Sequence, residues 1–255
     1  MFDFWKKRRR AELRAAPFPD AYRALILENV PYVRTLSEED QRELEALVQV
    51  FLAEKSFEGC GDLTITDEIR LTIAAQACLL LLHRETDMYP ELASILVYPH
   101  AYRAKEQHRE GMVVIESDQE RLGESWSQGT VVLAWDHVQR GARLFGDGHN
   151  VVLHEFAHQL DAEDGSVDGA PDLGARARYV EWAKVLGAEF KELADRIHAG
   201  RSSDIDAYAA TSPPEFFAVV TEMFFEQPVK LKERHAELYE ELRSFYKQDP
   251  AAAAH

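Results

Sequence analysis

The sequence predicts an α+β fold, mainly helical, with a small sheet beside a helix that carries His154-Glu155-Phe156-Ala157-His158. Two observations set the class: apolar residues recur at helical spacing through most of the chain, whereas short β-favouring runs are confined to 94–135. A third sets the arrangement, because the last of those runs ends shortly before the histidine-bearing stretch.

At the N-terminus, Lys6-Lys7-Arg8-Arg9-Arg10 follows Phe2, Phe4 and Trp5. Residues 1–16 are expected as a frayed, flexible basic tail, with contact to an anionic membrane surface as the alternative. No apolar run follows these charges, so they do not make a secretory signal. Ser37 ahead of Glu38-Glu39-Asp40 marks a helix start, and Leu44, Leu47, Val48, Phe51 and Leu52 give that helix an apolar face. Gly59-Cys60-Gly61 is a break. Thr66 caps a further helix that is apolar nearly all round to Leu82, and so central. Thr72 and Gln76 interrupt it and it is too short to span a bilayer, so no stable membrane insertion is expected. The stretch 17–90 reads as a helical part.

The pattern changes from 91 onward. Ser94-Ile95-Leu96-Val97-Tyr98, Gly111-Met112-Val113-Val114-Ile115 and Thr130-Val131-Val132-Leu133-Ala134-Trp135 read as strands. The run 150–161 contains neither Pro nor Gly, and Asn150 or Asp147 is its cap. A loop with three glycines and Pro171 fills 161–174, and helices follow over 175–198 and 229–246. The domain that carries the histidine motif is expected over 91–248, with the helical part as its appendage and a disordered tail at 249–255.

Composition narrows the function. With 45 acidic against 29 basic side chains, the net charge of −16 repels phosphate backbones and argues against nucleic acid as a partner. Cys60 and Cys78 make neither a CxxC pair nor a disulfide framework; with no secretion signal they indicate a reducing cytoplasm. Both thiols read as small buried apolar groups.

The chemistry lies in the motif. Histidines four residues apart on a helix point the same way, because a turn takes about 3.6 residues. Zn²⁺ held by His154 and His158 leaves positions for a third protein ligand and a water, and Glu155 is placed to take a proton from that water. This is the pattern of a zinc hydrolase, usually a peptidase, and an upstream sheet suits it because an exposed strand can pair with an extended substrate.

Two residues compete to be the third ligand. Asp164 would fit an extended motif that turns back at a glycine, but Asp161 occupies the glycine position, and the acidic loop reads as solvated. Glu215 begins an apolar helix in Thr211-Ser212-Pro213-Pro214-Glu215-Phe216-Phe217-Ala218. With Ser212 as cap and Pro213 behind it, Glu215 also fits a capping box, so the local pattern allows both roles. A glutamate on a helix packed against the motif helix is a recurring way to complete His₂Glu zinc, which favours the ligand.

Several segments together carry a resemblance. His154-Glu155-Phe156-Ala157-His158-Gln159-Leu160-Asp161, Ile205-Asp206-Ala207-Tyr208-Ala209-Ala210 and Pro214-Glu215-Phe216-Phe217-Ala218-Val219 resemble the Mlc titration factor A family of zinc peptidases. Gly123-Glu124-Ser125-Trp126-Ser127-Gln128-Gly129 and Leu242-Arg243-Ser244-Phe245-Tyr246 also resemble family segments, and the match covers about residues 17–248. The spacing from Tyr208 to Glu215 is similar to that in the catalytic domain of anthrax lethal factor, which implies a zincin-like core for 91–248.

The resemblance implies that His154, His158 and Glu215 hold Zn²⁺, that Glu155 is the catalytic base, and that Tyr208 faces the reacting carbonyl. It implies a peptide or protein substrate and aminopeptidase activity, or alternatively a regulatory protein that titrates a Mlc-like transcriptional repressor of sugar uptake. Some relatives cap the metal with a histidine ahead of the Gly123-Glu124-Ser125-Trp126 segment; Val113-Val114-Ile115-Glu116-Ser117 stands there, which implies an open site. Asp161 and Glu222 are expected on the surface, with orientation of a ligand as their alternative role.

Overall fold

Helices carry most of the chain, and one small sheet sits against them, as the α+β reading predicts. A computed structural model describes residues 2–253 except 101, 111, 112, 122, 127 and 128, and for 2, 3, 102–126 and 253 it describes the backbone alone.

The basic segment expected as a frayed tail is instead helix α1 (Phe2–Ala15). Its anchor is electrostatic: Arg10 donates two 2.7 Å hydrogen bonds to Glu54 and one of 2.6 Å to Asp87, which also pairs with Lys6. Helix α2 (Asp20–Asn29) follows, then α3 (Glu38–Glu54), where Ser37 Oγ accepts from Asp40 N–H at 3.1 Å. Strand β1 (Ser56–Gly59) leads to α4 (Asp67–Leu79), which Thr66 caps through Ile69 N–H. Helix α4 is buried on every side from Leu71 to its end, as a helix without a polar face must be. Burial pushes the Cys78 thiol up, so it packs as an apolar group.

Next come β2 (Ser94–Tyr98), β3 (Tyr102–Glu110), β4 (Val113–Arg121), β5 (Gly123–Trp126) and β6 (Thr130–Ala134). The sheet order is β1-β2-β6-β5, with β1, β2 and β6 parallel and β5 antiparallel at the edge. Ile95 pairs with Val131 and Val97 with Leu133, all four buried. Strands β3 and β4 form a separate antiparallel ribbon. The side chains of 113–117 and 123–128 lie outside the described residues, and with them the expectation of an open site.

Helix α5 (Trp135–Arg143) precedes α6 (Val151–Asp161), the motif helix, and Asn150 rather than Asp147 caps it. Helix α7 (Arg176–His198) leads to α8 (Pro213–Glu226), which lies across α6. The helix expected over 229–246 is two, α9 (Pro228–Arg234) and α10 (Ala236–Tyr246). They part at His235, whose backbone leaves helical geometry while its ring bonds Glu189 at 2.8 Å. In the expected disordered tail, α11 (Pro250–Ala253) packs back: Ala251 is buried and its N–H donates to the Tyr239 hydroxyl. Among the described residues no helix is long and apolar enough to cross a membrane.

The core that fixes α6 and α8 is aromatic. Phe156 packs on Phe51 and Tyr89 behind α6, while Phe217, Phe224 and Phe225 meet Trp182, Tyr239, Phe245 and Tyr246 behind α8. Strand β5 lies against α6, so a sheet edge borders the motif helix.

Candidate metal centre

Helix α6 begins where Asn150 Oδ1 accepts from Val152 and Leu153 N–H, at 3.2 and 3.1 Å. One turn in, His154 projects toward α8, and His158 follows on the same face. On α8, Ser212 Oγ accepts from Glu215 N–H at 3.4 Å. The Glu215 carboxylate does not complete a capping box; its Oε2 lies 3.0 Å from His154 Nε2 and 3.5 Å from His158 Nε2. The residue's backbone is thus held by the Ser212 cap while its side chain turns to the histidines instead of closing a capping box.

These three donor atoms lie within 4.8 Å of one another. Two imidazole nitrogens and one carboxylate oxygen are the donor set of a His₂Glu zinc site. The fit extends to the tautomer. His154 Nδ1 lies 2.7 Å from Glu222 Oε1, and a carboxylate there accepts the Nδ1 proton and leaves the Nε2 lone pair for a metal. Burial opposes charge on the His154 ring, yet Glu215 and Glu222 raise its pKa well above the usual value. Burial likewise acts to raise Glu215, but the two imidazoles hold it well below the carboxylate range. The carboxylates of Glu215 and Glu222 on either side of the His154 ring make a negative field that favours a bound cation.

Glu222 is not the surface glutamate expected from sequence. It is 6% exposed, and its Oε2 accepts from Asn150 N–H at 2.5 Å. Asp161 is also buried, but it serves a loop: both of its oxygens accept from Gly169 N–H, at 3.0 and 2.9 Å. Gly169 has φ +82, and a Cβ there would lie 2.5 Å from the Pro213 carbonyl oxygen, so the loop can press on the start of α8 only as glycine. Asp164 stays outside the cluster, exposed, with Oδ1 accepting from Ser166 N–H and Oγ–H.

Glu155 is buried beside the cluster at 4% exposure. Tyr208 sits in a short 3-10 turn whose start Asp206 caps at 2.8 Å, and its ring centroid is 6.1 Å from that of His154. The ring is half open to solvent. Burial, then the charges of Glu215 and Glu155, push its hydroxyl up to about 12, so it remains a protonated donor at neutral pH. A cavity of about 410 Å³ lies along α8, lined by Ile205, Asp206, Ala207, Val219 and Met223 among others, and none of the candidate site residues lines it.

One supporting group was not legible as such. Asn150, read only as a cap, donates Nδ2 to Gln76 Oε1 at 2.9 Å and to Glu226 Oε1 at 3.2 Å, while its N–H holds Glu222. The one available signal was Gln76, a polar residue inside the otherwise apolar α4 that needed a buried partner.

Residues 4–247 match the family described as glucose-regulated metallo-peptidase M90. The chain belongs to this family. Family membership implies a metal ion and metallopeptidase-type chemistry. A protein of Synechocystis sp., named only as uncharacterized, is 42% identical over 251 residues, covering 98% of this chain and 91% of its own. Mlc titration factor A of Serratia proteamaculans is 33% identical over 227 residues, covering 88% and 86%. Mlc titration factor A of Pectobacterium atrosepticum is 32% identical over 228 residues, covering 88% and 85%.

Proposed function

We propose that this protein is a zinc-dependent peptidase with His154, His158 and Glu215 as ligands, Glu155 as general base and Tyr208 as an oxyanion donor. The observation that carries the reading is the convergence of three donor atoms from α6 and α8 within 4.8 Å. Zinc in that position supplies Lewis acidity, which polarises a peptide carbonyl and makes a water easier to deprotonate. Glu155, buried on the motif helix, removes the proton from the attacking water and returns it to the departing amine. Tyr208 donates its hydroxyl hydrogen to the carbonyl oxygen as negative charge develops there. The sheet edge at β5, which lies against the motif helix, offers main-chain pairing to an extended peptide.

Glu155→Gln tests the mechanism. It keeps the side chain's shape and removes its basicity, so peptide hydrolysis falls by about 10²–10⁴-fold while zinc content stays at one per chain. Unchanged hydrolysis with zinc retained sinks the assignment. Peptides with free and blocked N-termini decide the aminopeptidase preference: cleavage that requires a free amine supports it, and equal cleavage overturns it.

The name shared by the Serratia and Pectobacterium relatives favours a second reading, titration of a Mlc-like repressor. Capture of such a repressor by the Glu155→Gln variant supports a binding role independent of catalysis. Failure of both variant and wild type to retain it removes that role.

A further inference from the structure

Helix α1 divides its side chains between two faces. Lys6, Arg10 and Leu13 turn toward the body, where Lys6 and Arg10 meet Asp87 and Glu54 and Leu13 packs on the core. Phe4, Trp5, Lys7, Arg8 and Arg9 are exposed on the remaining arc. The two aromatic rings form an edge-to-face pair, with centroids 6.1 Å apart, and are 67% and 59% exposed. The Arg8 guanidinium lies 5.8 Å from the Trp5 ring and also bonds Glu12.

A helix that only covered α3 would place its aromatic residues inward and its charges outward. Here Lys6 and Arg10, paired with acids of the body, face in, and the aromatic pair faces water beside Lys7, Arg8 and Arg9. The local charge also opposes that of the molecule: residues 2–15 hold six basic and two acidic side chains in a chain of net charge −16. Adjacent Phe and Trp flanked by Lys and Arg are the elements of a helix that lies in a lipid interface, with rings at headgroup depth and cations on anionic headgroups. We propose that the outward face of α1 docks this protein on an anionic lipid bilayer. The contact is peripheral, and the acidic body remains in water because the cations on this face outnumber its acids.

The test is co-sedimentation of the full chain, with no N-terminal tag, with vesicles of phosphatidylcholine alone or mixed in equal parts with phosphatidylglycerol. Wild type is expected to pellet with the anionic vesicles, to remain in solution with the neutral ones, and to be released by salt. Phe4→Ala/Trp5→Ala and Lys7→Glu/Arg8→Glu/Arg9→Glu are each expected to lower the partition roughly tenfold or more. Both variants leave Lys6, Arg10 and Leu13 in place, and unchanged melting temperatures separate lost docking from lost folding. Vesicle binding is also expected to blue-shift tryptophan emission, and Trp5→Phe to abolish the shift. The proposal falls if wild type stays in solution with anionic vesicles at low salt, or if the aromatic variant binds as well as wild type. It falls equally if duplex DNA or RNA is bound in preference to vesicles, or if the aromatic pair proves to hold two copies of the chain together in solution.

Discussion

Replacing Glu222 with Gln removes one charge from a buried side chain and changes almost nothing in its volume. The carboxylate has two oxygens and two donors to satisfy: His154 Nδ1 at 2.7 Å and Asn150 N–H at 2.5 Å. An amide has a single oxygen, so in the variant one of those donors faces an NH₂ group. The loss is a charge-assisted hydrogen bond, about 1.5–3 kcal/mol, together with a buried donor left unpaired. His154 loses the group that fixes its tautomer, and zinc affinity is expected to fall about 10–100-fold, or about 1.4–2.7 kcal/mol. Competition with a chromophoric chelator at neutral pH measures that affinity directly, and circular dichroism of the metal-free variant checks the fold. A zinc affinity within twofold of wild type, in a folded variant, would refute the role given to Glu222.

Tyr208→Phe keeps the half-exposed ring beside His154 and removes only the hydroxyl. The expected result is a kcat for peptide hydrolysis lowered roughly 10–1000-fold with zinc content unchanged; equal kcat speaks against the donor role. Glu163 provides a pH prediction. Burial pushes its carboxyl up to about 7 from the ordinary 4.5, and its Oε1 has no hydrogen-bond partner among the described residues. Between those values the unfolded chain has already lost the proton that the folded chain keeps, so this group's contribution to stability declines as pH rises from about 4.5 through 7. Glu163→Gln is therefore expected to melt higher than wild type at pH above about 8, by up to about 3 kcal/mol of stability, and to differ little near pH 5. A variant no more stable at the higher pH contradicts this.

Much of the centre could be read from the chain because its signals are local. The spacing of His154 and His158 and the caps at Ser37, Thr66, Asn150 and Ser212 each involve residues a turn apart. What escaped depends on distant partners. Glu222 and Asp161 look like surface acids until His154, Asn150 and Gly169 come up to them, and no local pattern announces those meetings. Strand β3, Tyr-Arg-Ala-Lys-Glu-Gln-His-Arg-Glu, has too few apolar residues to alternate, and β1 is four residues long beside a glycine break. The parting of α9 from α10 has neither Gly nor Pro to mark it, only the pull of Glu189 on His235.

The donors of the candidate centre are far apart in the order of synthesis. Glu215 and Glu222 follow His154 by 61 and 68 residues. A ribosome that has just released the histidine helix has therefore made only half a binding site, and the nascent chain has nothing with which to close around an ion. Metal binding at this candidate centre would thus have to wait until α8 has emerged and docked. Chains stopped before α8 are consequently expected to take up no metal at this centre, whereas chains that include it can.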